Sequence, residues 1–209
     1  MGKAWVFEGS VDTDVLAPGQ YMKFGIEEIA RHCMESIEPR FAREVRPGDV
    51  VVGPRNFGLG SSREQAPAAL RQLGVAAVLA PSFAGLFYRN AVNVGLLLLE
   101  CADCGSIRPD DQIEVDAAAG LVHNRTQGHQ ITCRALPAHL RSVIEAGGLL
   151  PWLEQRMAKG DIPAQTAPRR SARSPADSTP ASPPRSDSGA VPDPMPGSAS
   201  GSTVDATRG

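Results

Sequence analysis

Three uninterrupted apolar runs, at residues 50–52, 75–80 and 96–99, limit this chain to few folds. A strand with one face in water alternates polar and apolar residues. Runs without alternation mark strands buried on both faces, as in parallel sheets. Between the runs stand two segments of helical character. Residues 64–73 are stopped by Gly74, and residues 83–93 are opened by Pro81-Ser82 and closed by Gly95. Pro67 falls in the first turn, where a missing N–H is harmless. Two successive strand–helix–strand units imply an α/β layer with right-handed crossovers. Ligands of such a layer collect at the carboxyl ends of its strands.

The flanking segments add to this layer. Residues 4–7 form a strand candidate that ends in a turn at residues 8–10. Asp12 and Asp14 precede a second turn at Pro18-Gly19. They read either as Asx-turn formers or as active-site carboxylate on a loop. Residues 26–35 carry Ile26, Ile29, Ala30, Cys33 and Met34 at helical spacing, and residues 40–46 read as a polar connection. Residues 112–133 change character, with short strands and tight turns at Gly120 and Gln127-Gly128 that predict a small antiparallel β layer. Residues 138–146 and 149–157 read as closing helices, Trp152 docking on the core.

Composition divides the chain of 209 residues. Residues 1–159 have the apolar content of a single domain, whereas residues 160–209 hold half of the 18 prolines and no aromatic residue. Such a tail cannot bury enough apolar surface to offset its ordering entropy, so it is expected to be disordered. Its five arginines balance five aspartates, and its Ser-Pro pairs suit a phosphorylatable linker or an inert extension. A formal net charge of −2 argues against nucleic acid or anionic membrane as a partner. No apolar run approaches the ~20 residues of a membrane span, and no signal-peptide core follows Met1, so a cytoplasmic protein is expected. Cys33, Cys101, Cys104 and Cys133 suit a reducing compartment as free structural thiols; the CxxC at 101–104 alone is a weak metal or redox signal. The four histidines show no ligand spacing, so no metal site is expected in this chain.

The stretch with most chemistry is residues 49–64, running from the first apolar run through a glycine-spaced loop into a helix start. Glycines admit close backbone approach, and the amides of a helix N-terminus favour anions. Ser61, Ser62 and Arg63 add two hydroxyls and a guanidinium, a set suited to a carboxylate. The loop is neither a P-loop nor a dinucleotide fingerprint, since Ser61-Ser62 follows Gly60 and Arg63 stands where a third glycine is needed. Ser61 and Glu64 also have the spacing of a capping box, which would use the hydroxyl only to start a helix.

Taken together, three segments resemble the small subunits of 3-isopropylmalate dehydratases, which correspond to the swivelling domain of the aconitase family. They are Asp12-Thr13-Asp14 with Pro18-Gly19, residues 56–64 with Gly-Ser-Ser-Arg-Glu, and residues 82–90. They occur in the family's order, and the resemblance covers roughly residues 2–150. It implies a three-layer β/β/α fold with a mixed, partly parallel sheet. It also implies a lyase split between two chains, as a heterodimer or heterotetramer, acting on a small di- or tricarboxylate. A large subunit would hold a [4Fe–4S] cluster, and this chain would bind no cofactor. The implied reaction dehydrates 2-isopropylmalate and rehydrates the unsaturated acid to 3-isopropylmalate, a step of leucine biosynthesis.

By the same resemblance Ser61 is the general base, Ser62, Arg63 and Gly60 hold substrate carboxylate, and Asp14 orients the site. A serine serves as a base only where its alkoxide is stabilised, which Arg63 and a helix start would do. Leu59 stands where relatives often have cysteine, and Gln65 where they often have histidine. Lys23, in the loop Tyr21-Met22-Lys23-Phe24, stands in the segment that reads the substrate's distinguishing arm. A lysine there could meet the third carboxylate of a homoaconitate-type substrate, or it could face solvent. A dimethylmalate-type substrate, or a carboxylate-binding module without catalysis, are the other readings.

Overall fold

The apolar runs form the parallel strands β2 (Val50–Val52), β3 (Ala77–Ala80) and β4 (Leu97–Glu100), joined by β1 (Gly2–Val6). They come from a computed structural model that describes residues 1–161. These four pair in parallel in the order β4-β3-β2-β1. The antiparallel β5 (Gln112–Asp116), β6 (Leu121–Asn124) and β7 (His129–Thr132) continue the sheet beyond β1. Each parallel crossover steps to the next strand in the same direction, so right-handedness places every connecting helix on one face.

That face holds the first core. Alternation along the strands aims Trp5, Val51, Val78 and Leu98 at the helices α1 (Thr13–Leu16), α2 (Ile26–Arg31), α3 (Phe41–Glu44), α4 (Gln65–Gln72) and α5 (Gly85–Val94). Leu16, Ile29, Phe41, Leu70 and Phe87 meet them there. The other face presents Ala4, Val50, Val52, Ala77, Leu79 and Leu99, which pack on Ile113, Val122 and Ile131 of the antiparallel strands. The sheet therefore curls back over itself, and the layers are β, β and α, with α6 (Ala138–Glu145) adding Leu140 and Ile144 at the rim of the second core. Buried Asp49 ties β1 to the start of β2, accepting from the Lys3 amide at 2.9 Å, Trp5 Nε1 at 3.1 Å and the Arg46 amide at 2.9 Å.

The curl brings the two outermost strands together just past their ends. The Arg134 amide donates to Glu100 O at 2.8 Å, and Cys101 is disulfide-bonded to Cys133. The expectation of four free thiols is thereby corrected: spacing along the chain shows only the 101–104 pair, while the curl supplies Cys133 from 32 residues away. Cys33 and Cys104 remain free and buried, and burial pushes both thiols up from their usual range.

Other differences are local. The helix predicted over 26–35 ends at Arg31, because the chain turns at Met34 (φ +65°), whose amide donates to Val15 O at 2.9 Å. The polar connection at 40–46 contains the one-turn α3, whose Phe41 is fully buried edge-on against Trp5 and Phe7. In α7 (Leu149–Ala158), Trp152 is only half-buried beneath the Arg156 guanidinium, 5.0 Å from its ring, and joins neither core. The tail expected over 160–209 lies, past Asp161, outside the described residues.

Phe57 anchors the glycine loop to this fold. It is fully buried, edge-on to Phe83 at 6.2 Å and to Phe87 at 5.4 Å, whereas nearby Leu59 is 55% exposed. Phe57→Ala should therefore lower unfolding free energy by about 3–5 kcal/mol, and Leu59→Ala by no more than about 0.5 kcal/mol. Urea denaturation of the two variants checks this; equal losses would contradict the anchoring role.

Candidate active site

The glycine loop leaves the carboxyl end of β2 and is stitched to two neighbouring segments. On one side, Asn56 adopts φ +58°, which asparagine tolerates, and Ser82 holds it there. Ser82 Oγ accepts from the Asn56 amide at 2.9 Å and donates to Asn56 Oδ1 at 3.2 Å. The Phe57 amide donates to Ser82 O and the Ala84 amide to Phe57 O, which pins the loop to the start of α5. On the other side, the Gly58 amide donates to Val11 O at 2.8 Å and the Thr13 amide to Leu59 O at 2.9 Å. Two glycines permit this closeness. A Cβ on Gly58 (φ +77°) would fall 2.2 Å from the Phe87 ring, and one on Gly60 (φ +118°) 2.7 Å from Thr13 Oγ1.

The two aspartates divide the roles that the sequence left open. Asp12 is the Asx cap: its Oδ1 accepts from the Asp14 and Val15 amides, both at 2.9 Å, and starts α1. Asp14 reaches across instead, taking a hydrogen bond from Arg63 Nη1 at 2.5 Å. The same nitrogen donates to Ala17 O at 3.1 Å. Asp14 is largely exposed, so the ion pair itself contributes only about 0.2–1 kcal/mol; its effect is to aim the guanidinium. Nε and Nη2 of Arg63 make no hydrogen bond among the described residues and stay available to an anion.

Ser61 does not cap the helix. α4 begins at Gln65, Glu64 stands at its N-cap in a helical conformation, and no side chain caps it. The capping-box reading fails because Ser61 is held elsewhere: its amide donates to Thr13 Oγ1 at 3.0 Å. The Ser61 and Ser62 side chains are exposed, and Ser62 Oγ lies 3.5 Å from Asn90 Nδ2. The amide cradle expected of the glycine loop is also reduced, since the amides of residues 56, 57, 58, 61 and 63 all have acceptors within the protein.

Asp14, Gly60, Ser61 and Arg63 are thus brought together, with Ser62 alongside. Lys23 is exposed on the loop between α1 and α2, its Nζ 5.1 Å from the Phe24 ring, and no hydrogen bond or ion pair links it to that cluster. The sequence reading assigned no role to Thr13 or Asn90. The one signal for Thr13 was its place between two aspartates. Among the described residues no three His, Cys, Asp or Glu side chains gather as a metal site.

A curled mixed sheet with helices on one face, and a serine–arginine loop open to solvent at a strand end, define the swivelling-domain class of the aconitases. The family model for the aconitase C-terminal domain matches residues 38–104. The chain is 45% identical over 161 residues to a 3-isopropylmalate dehydratase small subunit of Heliobacterium modesticaldum, covering 76% of this chain and 97% of the relative. It is 44% identical over 153 residues to a methanogen homoaconitase small subunit of Methanothermobacter thermautotrophicus, covering 71% and 87%. The crystal structure of a 3-isopropylmalate dehydratase from Methanocaldococcus jannaschii superposes with a TM-score of 0.72 at 38% identity, covering 77% of this chain and 96% of that one. The chain belongs to the aconitase family, among the small subunits of the 3-isopropylmalate dehydratase type.

The loop carrying Lys23 rests on a titratable group. Tyr21 stacks on the His32 ring at 3.6 Å, and His32 Nδ1 lies 2.5 Å from Glu35 and Nε2 3.4 Å from Glu28. The hydrogen bond to Glu35, against the opposing effect of burial, holds His32 above its usual pKa. A raised histidine stabilises the fold fully below its unfolded pKa, about 6.5, and that contribution is lost as pH rises through the higher folded value. The Tm gap between wild type and His32→Gln should thus be wider at roughly pH 6 than at roughly pH 9. A gap that widens toward alkaline pH would contradict this.

Proposed function

We propose that residues 1–159 form the small subunit of a two-chain hydro-lyase that isomerises 2-isopropylmalate to 3-isopropylmalate. The observation that carries the proposal is exposed Ser61, its backbone held by Thr13 and its place two residues before Arg63, whose Nε and Nη2 make no hydrogen bond among the described residues. The similar dehydratase small subunits support the substrate class. Ser61, as alkoxide, takes the proton from the carbon next to a carboxylate. Arg63, aimed by Asp14, grips that carboxylate, with Ser62 and the Gly60 backbone beside it. The electron pair of the broken C–H bond becomes the double bond as hydroxide leaves the adjacent carbon. Rehydration in the other orientation returns the proton from Ser61. A large subunit bearing a [4Fe–4S] cluster is the expected partner, and the cluster's Lewis acidity would serve the departing hydroxide. No helix among the described residues is long and apolar enough to cross a membrane, and we place the complex in the cytoplasm.

An exposed site needs such a partner. Ser61 and Ser62 are exposed, so water is excluded only when another surface closes over the loop. A second reading, a homoaconitase-type substrate, is favoured by exposed Lys23 and by the homoaconitase relative. Rates on isopropylmalate, homoaconitate and dimethylmalate, measured side by side, separate the readings. In the reconstituted complex, Ser61→Ala should lower kcat by roughly 10²–10⁴-fold with little change in KM. Turnover at the wild-type rate would remove Ser61 as the base.

A further inference from the structure

The reactive loop lacks the usual means of being held still. Leu59, Gly60, Ser61 and Ser62 are all exposed, so no packed side chain fixes this tetrapeptide between buried Phe57 and buried Ala66. Its position is set by hydrogen bonds, and one residue makes two of them. The Thr13 amide donates to Leu59 O at 2.9 Å, and Thr13 Oγ1 accepts from the Ser61 amide at 3.0 Å. Thr13 itself is 1% exposed at the start of α1, so water does not compete for its hydroxyl. Gly60 lies folded between the two bonds, with no room for a Cβ beside Thr13 Oγ1. The next residue, Asp14, holds Arg63.

We propose that Thr13 is the positioning residue of Ser61: its buried hydroxyl fixes the Ser61 backbone, leaving the serine only side-chain rotation with which to meet substrate. This deepens the hydro-lyase reading and rests on it. A threonine hydroxyl does this where valine, nearly its isostere, leaves the Ser61 amide without an acceptor. A reacting group displaced by about 1 Å can cost a hundredfold in rate.

The test compares Thr13→Val with Thr13→Ser in the complex with the large subunit, and follows exchange of the Ser61 amide by NMR in the full chain alone. Thr13→Val should lower kcat by roughly 10–100-fold while KM changes less than about threefold, and Thr13→Ser should restore kcat to within about threefold of wild type. The Ser61 amide should exchange at least about tenfold faster in Thr13→Val than in wild type or Thr13→Ser, which keep the bond. If Thr13→Val does not fold, Thr13→Ala replaces it in both measurements. An unchanged kcat or an unchanged Ser61 amide in the hydroxyl-free variant overturns the inference, as does a serine variant that falls as far as valine. Wild-type complex that turns over none of the three acids defeats the hydro-lyase reading instead; the exchange measurement then still decides whether Thr13 holds Ser61.

Discussion

The structure depends on a backbone seam between residues 11–14 and 58–61. Two chain segments leave the carboxyl ends of neighbouring parallel strands, β1 and β2, and zip together through the Gly58–Val11, Thr13–Leu59 and Ser61–Thr13 hydrogen bonds. The parallel pairing of β1 with β2 delivers both segments to the same edge in register, so the seam continues what the sheet begins. Glycine is required at 60, where a Cβ would meet Thr13 across the seam, and at 58, where it would meet the Phe87 ring beneath the loop. The seam holds an exposed loop by hydrogen bonds where its side chains have no core to pack against.

The layers explain why this edge is open. All crossover helices sit on one face, and the antiparallel strands curl over the other, so each face of the parallel strands is covered and only their ends are left. At the amino-terminal end Asp49 closes the gap between β1 and β2 with three hydrogen bonds. At the carboxyl end the amides of residues 56, 57, 58 and 61 are spent on the seam and on the approach to α5, and Ser61, Ser62 and Asp14 are exposed. Exposed Leu59 and Phe24 add apolar surface to the loop and the Lys23 segment, the kind of surface that the core of an interface buries.

Much of this was legible in the sequence, because parallel strands buried on both faces leave unbroken apolar runs and Gly74 and Gly95 stop the helices between them. The antiparallel layer was legible from its tight turns. What the residues alone left undecided was which of two uses a polar group served. Asp12 and Asp14 carry the same side chain two positions apart, yet one caps a helix and the other aims a guanidinium. Ser61 has capping-box spacing, but the acceptor that captures its amide comes from 48 residues earlier, and no local pattern records that. The Cys101–Cys133 bond was hidden for the same reason, since only the curl of the sheet makes the two neighbours. Thr13 was the residue most underread: a threonine beside two aspartates looks like turn chemistry until the loop it supports is seen.

The central claim is that the seam presents the Ser61 hydroxyl and the Arg63 guanidinium to one face of a bound acid. The most direct measurement is a structure of this chain in complex with its large subunit and a hydroxy-dicarboxylate. The account predicts Ser61 Oγ about 3 Å from the carbon that gives up its proton, Arg63 on the neighbouring carboxylate, and the Ser61 amide still on Thr13. A bound acid that leaves Ser61 turned away, with Arg63 still uncommitted, would contradict it.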